Sequence, residues 1–179
     1  MKKGFTPVKS DKYFTGFTLI ELLIVIAIIA ILAVIIIIAI NPGKMLAKSR
    51  DSQRFSDVTS IATATNLYLA DGKDFAGLVG PYLSTDGAND NARRKNDGSG
   101  WIKINYTTVT SGAPLASLPI DPKNNATYHY TFGLSVAEKT YEIDCVFESS
   151  DYNPSKLESD GGNDNGQYEV GTDLTLIAP

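Results

Sequence analysis

From Phe17 to Ile40 the chain is an unbroken run of 24 residues, mostly Ile, Leu, Ala and Val, with Glu21 as its one charged side chain. Helical residues rise about 1.5 Å each, so the run spans roughly 36 Å and crosses a hydrocarbon layer of about 30 Å with some tilt. Beyond it the pattern becomes amphipathic. Phe55, Val58, Ala62, Thr65 and Leu69 recur at alternating spacings of three and four, with Ile61 and Tyr68 alongside, while Lys48, Asp51, Arg54 and Asp57 fall largely elsewhere. That periodicity predicts a helix over residues 41–70 with one stripe for packing on a sheet, stopped by Asp71-Gly72. Between the two stretches stands Asn41-Pro42-Gly43. Pro42 has no N–H for the carbonyl of Ile38 and biases Asn41 away from helical geometry. The primary expectation is a kink at Pro42 and Gly43 in one long helix. The alternative is a break, with Asn41 capping and Pro42 opening a new helix. A straight helix from Phe17 to Ala70 would reach roughly 80 Å, a rod of use only if much of it packs against other copies.

Residues 71–100 are rich in Gly, Asp, Asn and Ser and predict a long surface loop, with a short helical turn near Leu78 to Leu83. Arg93-Arg94-Lys95, flanked by Asp90 and Asp97, reads as a solvated part of it. Strand signals follow in Ile102-Ile104-Tyr106, in Tyr128-Tyr130-Phe132, in Tyr141-Ile143-Cys145-Phe147, and in a C-terminal piece from Tyr168 to Ile177. Leu118-Pro119-Ile120-Asp121-Pro122 predicts a rigid turn, because each proline fixes its own φ and restricts the residue before it. One long helix followed by several strands indicates an α+β fold with a small antiparallel sheet packed on the amphipathic half-helix.

Once the apolar run is set aside, 179 residues leave room for one modest domain over residues 71–179. A cleavable secretory signal would have a shorter apolar core, and Ile40-Asn41-Pro42-Gly43 is a poor match to its small-residue cleavage site. Net charge is −4, and the first sixteen residues carry four Lys and one Asp, so the remainder stands at −7. That balance argues against nucleic-acid binding, which rests on neutralising phosphates. The single cysteine, Cys145, excludes an internal disulfide. His129 and Cys145 invite a reading as base and nucleophile, but strand alternation puts them on opposite sides of the sheet. No Gly-x-Ser-x-Gly, phosphate loop or Cys-x-x-Cys is present, so no enzymatic activity and no catalytic residue is expected. Asn105-Tyr106-Thr107 and Asn125-Ala126-Thr127 match the N-glycosylation pattern, a three-residue match that arises often by chance.

A carboxylate in hydrocarbon costs several kcal/mol unless it is paired or near the headgroups, so Glu21 is itself a functional hypothesis. A membrane anchor whose Glu snorkels to the interface leaves Gly16 and the order Thr18-Leu19-Ile20-Glu21 without a reason. The segment Gly16-Phe17-Thr18-Leu19-Ile20-Glu21 resembles the processing site of type IV pilins and the related pseudopilins. The resemblance implies a basic cytoplasmic leader over residues 1–16 and a transmembrane, filament-core helix over 17–40. It implies cleavage after Gly16 by an integral membrane prepilin peptidase, which also methylates the new amine of Phe17. It implies assembly into a homo-oligomeric filament by dedicated pilus or secretion machinery, with Glu21 paired to a neighbour's Phe17 amine. The precursor would then be a single-pass protein of the cytoplasmic membrane, and the product an extracellular pilus or a periplasmic pseudopilus. The type II secretion pseudopilin is one version of this reading. A merely membrane-anchored envelope binding domain is the rival from another class.

The sequence departs from many Gram-negative pilins in lacking the disulfide that closes their C-terminal region, so another device must hold that region. Asp160-Gly161-Gly162-Asn163-Asp164-Asn165-Gly166 reads as a solvated turn. Its oxygen-rich side chains also suit a hard cation. Major pseudopilins of type II secretion hold calcium in a comparable C-terminal loop, so the resemblance admits calcium there, although no metal ligand is assigned and no cofactor is expected.

Overall fold

The computed structural model describes residues 16–152 and 157–179; the expected leader, up to residue 15, lies outside the described residues. Helix α1 spans Leu19–Ile40 and contains neither Gly nor Pro. Thr18 sets its start, with extended backbone (φ −78°, ψ 153°) and a hydroxyl that accepts from the Glu21 amide. No residue of α1 is buried. A helix apolar on every side requires lipid or other helices around it. By length and composition it can cross a membrane.

Helix α2 spans Pro42–Ala70. Asn41 separates it from α1 in the left-handed region at φ 49°. Asn is one of the few residues that reach that region at low cost, and it often ends a helix there. Pro42 then opens α2 where its missing N–H would have had no intrahelical acceptor. The chain therefore breaks at Asn41, which corrects the expected kink at Pro42 and Gly43 within one helix. The stop at Asp71-Gly72 is as expected, with Gly72 left-handed at φ 78°.

Helix α1 and residues 43–179 are separate compact units. In the second, α2 buries Asp51, Arg54, Val58, Ile61, Ala62, Ala64 and Thr65. Positions 51, 54, 58, 61 and 65 keep the three-four spacing, but the stripe enters through two charged residues. Phe55, the expected start of the stripe, is left 39% exposed. The sheet is an antiparallel meander in the order β1 (Tyr82–Leu83), β2 (Tyr130–Ser135), β3 (Thr140–Cys145), β4 (Tyr168–Gly171). Tyr130 faces Cys145 and Phe132 faces Ile143 across β2 and β3. These four and Tyr141 turn toward α2 and join its apolar residues in one core. Two tyrosine hydroxyls tie the layers together, Tyr141 donating to the Ala62 carbonyl at 3.0 Å and Tyr130 to Asp57 at 2.9 Å. The fold is thus α+β, an apolar N-terminal helix followed by a second helix and a four-stranded antiparallel sheet, as in pilins.

Three expected elements differ. Ile102, Ile104 and Tyr106 are buried, yet they form no strand. The Asn105 side chain accepts from the Thr107 amide and starts a short 3-10 turn over Tyr106–Thr108, so the segment packs by its side chains and not by a ladder. Tyr82–Leu83 is strand β1, where a helical turn was expected; the helical turn in this loop is α3, Asp90–Arg93, capped by Asn89. At the C-terminus the strand ends at Gly171, and Leu174 to Ile177 fold back as turns.

Candidate functional site

The N-terminal segment is built around Thr18 and Glu21. The Glu21 carboxylate accepts from the Thr18 amide at 2.8 Å and from its hydroxyl at 2.7 Å, both through Oε2. In return the Glu21 amide donates to the Thr18 hydroxyl at 3.3 Å. This reciprocal capping box satisfies two donors that the start of a helix otherwise leaves without acceptors. Gly16 and Phe17 precede it in non-helical backbone. Phe17 is 83% exposed, and among the described residues no atom beyond its chain neighbours lies within 4 Å of where a Cβ on Gly16 would sit. The Gly16–Phe17 bond is therefore accessible, and two residues separate it from the first helical hydrogen-bonded turn. A peptidase must draw its substrate backbone into an extended strand, and a bond inside α1 would first have to unwind the helix. The cap thus divides a non-helical stretch from a regular helix.

In the second unit the sequence reading missed a buried charge network. Arg54, fully buried, donates from Nη1 to Asp51 at 2.7 Å, from Nε and Nη2 to Asp121 at 2.6 and 3.1 Å, and from Nη2 to Glu148 at 2.7 Å. Its guanidinium lies 5.0 Å from the ring centre of Tyr128. Burial on its own would lower the Arg54 pKa, but the hydrogen bonds to Asp121 and Glu148 outweigh it and raise the pKa above its ordinary value. Asp51 in turn accepts from the amides of Glu148 and Ser149, and Asp121 from those of Lys123 and Asn124. One side chain of α2 thereby fastens both the proline-flanked turn 118–122 and the segment after β3. A chain with no disulfide is held there by ionic hydrogen bonds. The signal was present as an Asp and an Arg three apart on α2 and an Asp within the rigid turn, but hydropathy assigns all of them to solvent.

A second acidic group lies on the other face of the sheet. Glu142 and Asp144 alternate with Tyr141, Ile143 and Cys145 along β3, so they point away from the core, and Glu169 of β4 stands directly opposite Asp144. All three are buried, at 0, 1 and 2% exposure. One carboxylate oxygen from each lies within 4.8 Å of the others. Burial first, then the charges of Glu142 and Glu169, pushes the Asp144 carboxyl up to about 8. Burial likewise raises Glu142 to about 7, against hydrogen bonds from the Ile177 and Leu176 amides. The anticipated loop 160–166 meets this group at Glu169, whose Oε2 accepts from the Asp164 amide. Its own carboxylates are engaged inward: Asp160 accepts from the amides of Gly162 and Glu169, and Asp164 from the Gly166 amide and the Gln167 side chain.

His129 and Cys145 are not brought together. Cys145 is fully buried, and burial drives its thiol well above the ordinary range, so it holds its proton. The His129 ring lies at 3.2 Å from the Asn125 carbonyl, ahead of β2. Asn105 and Asn125 use their side-chain oxygens to accept amides two residues on, as turn formers do.

No curated protein and no solved structure matches this chain. One sequence family does, described as the prokaryotic N-terminal methylation motif, over residues 11–37. That span takes in Gly16, Phe17, the Thr18–Glu21 cap and most of α1. With an apolar helix and an α+β domain following it, the chain carries the type IV pilin and pseudopilin signature at its N-terminus.

Proposed function

We propose that the chain is the precursor of a structural filament subunit, a pilin or pseudopilin, with no enzymatic role. It is inserted in the cytoplasmic membrane through α1, cut after Gly16 and N-methylated on Phe17 by the prepilin peptidase, then drawn by its assembly machinery into a filament whose core is α1. The observation that carries this reading is the exposed, non-helical Gly16–Phe17 bond directly ahead of a capped, wholly uncovered apolar helix. Cleavage frees a cationic amine on Phe17, and transfer to a filament moves it and Glu21 into a dry core. There a carboxylate needs a partner. Both bonds from Thr18 fall on Oε2 of Glu21, so Oε1 can accept from a neighbouring subunit's amine. The apolar helices supply the binding area, and the ion pair selects the axial step. A secretin-type pore encoded beside the gene would distinguish a secretion-type filament from a surface pilus.

The test is intact-mass and N-terminal analysis of the protein isolated from the native envelope and from sheared filaments. A chain beginning at N-methyl-Phe17 is the expected result. A chain beginning at Met1, held as monomers in the membrane, would overturn the proposal in favour of a tethered envelope domain.

A further inference from the structure

We propose that Glu142, Asp144 and Glu169 form the binding site of a hard divalent cation of calcium's class, clamping the C-terminal segment to the sheet. The inference begins with a misfit. Asp144 and Glu169 are like charges placed directly opposite in a ladder, and Glu142 is two residues from Asp144 on the same face. Such juxtaposition destabilises a sheet even at the surface. Here the three are buried, and no ion pair between described residues includes any of them.

The misfit is sharper at the level of atoms. Oε1 of Glu142, Oδ1 of Asp144 and Oε1 of Glu169 are all buried without a hydrogen-bond partner. Buried polar atoms in folded proteins are nearly always satisfied, so three orphans from three adjacent carboxylates point to something else on which they converge. The remaining oxygens show what a cation would hold in place. Oε2 of Glu142 accepts from the amides of Leu176 and Ile177, both at 2.7 Å, and Oε2 of Glu169 accepts from the Asp164 amide at 3.0 Å. One carboxylate thus anchors the C-terminal turns and another anchors the loop 160–166, each keeping an oxygen turned inward.

The donor set identifies the class of ion. All three donors are carboxylate, which suits calcium, magnesium or manganese and not the softer metals that prefer thiolate or imidazole. Ligands on opposite sides of calcium stand about 4.6–5.2 Å apart, at about 2.3–2.6 Å from the ion, comparable with the 4.8 Å within which the three oxygens lie. Magnesium keeps several waters and gives them up reluctantly, which disfavours it in a site this enclosed. The site differs from the loop that the sequence suggested. Every carboxylate oxygen of Asp160 and Asp164 already accepts an N–H, whereas the strand carboxylates behind them do not.

The experiment is thermal unfolding and calorimetric titration of the full chain in detergent micelles, stripped with chelator and then given calcium or magnesium chloride at about 10 mM, roughly a hundredfold above the Kd of about 0.1 mM at the tight end of the range for calcium modules outside the cell. Binding at about a hundredfold excess over Kd would raise the Tm by roughly 5 °C or more for a chain of this size. Expected are that rise with calcium, a smaller one with magnesium, and loss of both the rise and the binding heat in D144N and E169Q. In chelator these near-isosteric variants should melt no lower than the parent, because each replaces a carboxyl of a crowded acidic cluster with a neutral amide of the same shape, so a lost calcium response is not a folding defect. The proposal is overturned if the parent gives neither heat nor a Tm rise, or if D144N responds as the parent does. A response abolished by D164N and retained by D144N would place the ion in the loop, and overturns it equally.

Discussion

Arg54 and Asp121, 67 residues apart in the chain, form a two-pronged ion pair at 2.6 and 3.1 Å with neither side chain exposed to solvent. The pair joins the middle of α2 to a turn that two prolines hold rigid, so neither partner can move off to hydrate. Arg54 also answers Asp51 and Glu148, which makes it the single cation at the centre of three buried or nearly buried carboxylates.

Replacing Arg54 with Met keeps much of the volume and leaves the buried Asp51 and Asp121 without their cation, while Glu148 keeps Arg50 and Lys123. Breaking a buried pair from one side costs about 3–5 kcal/mol, because the abandoned charge stays desolvated. R54M should therefore lower the unfolding free energy by about that much in denaturant titrations followed by Trp101, the buried and only tryptophan. K48A removes the pair with Asp151, whose side chains are 54% and 58% exposed, and should change stability by less than about 1 kcal/mol. Equal effects from the two variants would refute a special role for Arg54.

The same network sets an acid limit. Hydrogen bonds from Arg50, and then from Lys123 and Arg54, hold the Glu148 carboxyl well below its ordinary 4.5 despite its burial. A depressed folded-state pKa means that the unfolded chain binds the proton first as pH falls. The stabilisation is thus complete above about pH 5.5, and it is lost progressively as pH falls through 4.5 toward the lowered folded value. Denaturant midpoints should drop over that acid range in the parent. E148Q should be less stable at neutral pH and show a flatter acid limb; an unchanged limb would place the acid sensitivity elsewhere.

Much of this fold can be read from period and punctuation. The apolar run, the stop at Gly72 and the alternation of Tyr141, Ile143 and Cys145 each follow from local residues, as does the Thr18–Glu21 cap once the processing motif is seen. The misses share a cause. Asp51, Arg54, Glu142, Asp144 and Glu169 are charged, and hydropathy sends charged residues to solvent, whereas burial here depends on partners dozens of residues distant. The 102–106 segment alternates as a strand would, yet it pairs in an isolated bridge between Asn105 and Asp97 and not in a ladder, and Asn105 then turns it aside. At Asn41 the choice between kink and break depended on whether a non-glycine residue would accept left-handed backbone, and Asn is the residue that does so most readily.

Gly171 is fixed by contact, not by a special φ. A Cβ there would run into the Tyr141 carbonyl oxygen and approach the Cα of Glu142 to 2.8 Å, both backbone atoms of the paired strand. G171A must push β4 away from β3, at an overpacking cost of about 1–3 kcal/mol. The hydrogen bond from the Thr172 amide to the Tyr141 carbonyl, 2.9 Å long, lies beside the clash and should open first. Amide exchange at Thr172 should therefore quicken more than at Ile61 in α2. Uniform quickening across the domain would mean that the whole fold had loosened and not this edge alone.

Glu21 combines two duties that substitutions can separate. Its carboxylate caps α1 through Thr18, and in the proposed filament it also neutralises a neighbour's amine. E21A removes both, E21Q keeps an oxygen able to accept from the Thr18 amide while losing the charge, and T18V keeps the charge while losing the hydroxyl. If pairing governs assembly, E21A and E21Q should insert and be cleaved normally, yet leave almost no subunit in the sheared-filament fraction. T18V should still polymerise, since a lost N-cap costs only about 0.5–2 kcal/mol. The reverse ranking, with E21Q polymerising as the parent does and T18V failing, would assign Glu21 to the helix start alone. Quantifying filament-borne subunit against the total cleaved pool for the three variants decides between the two.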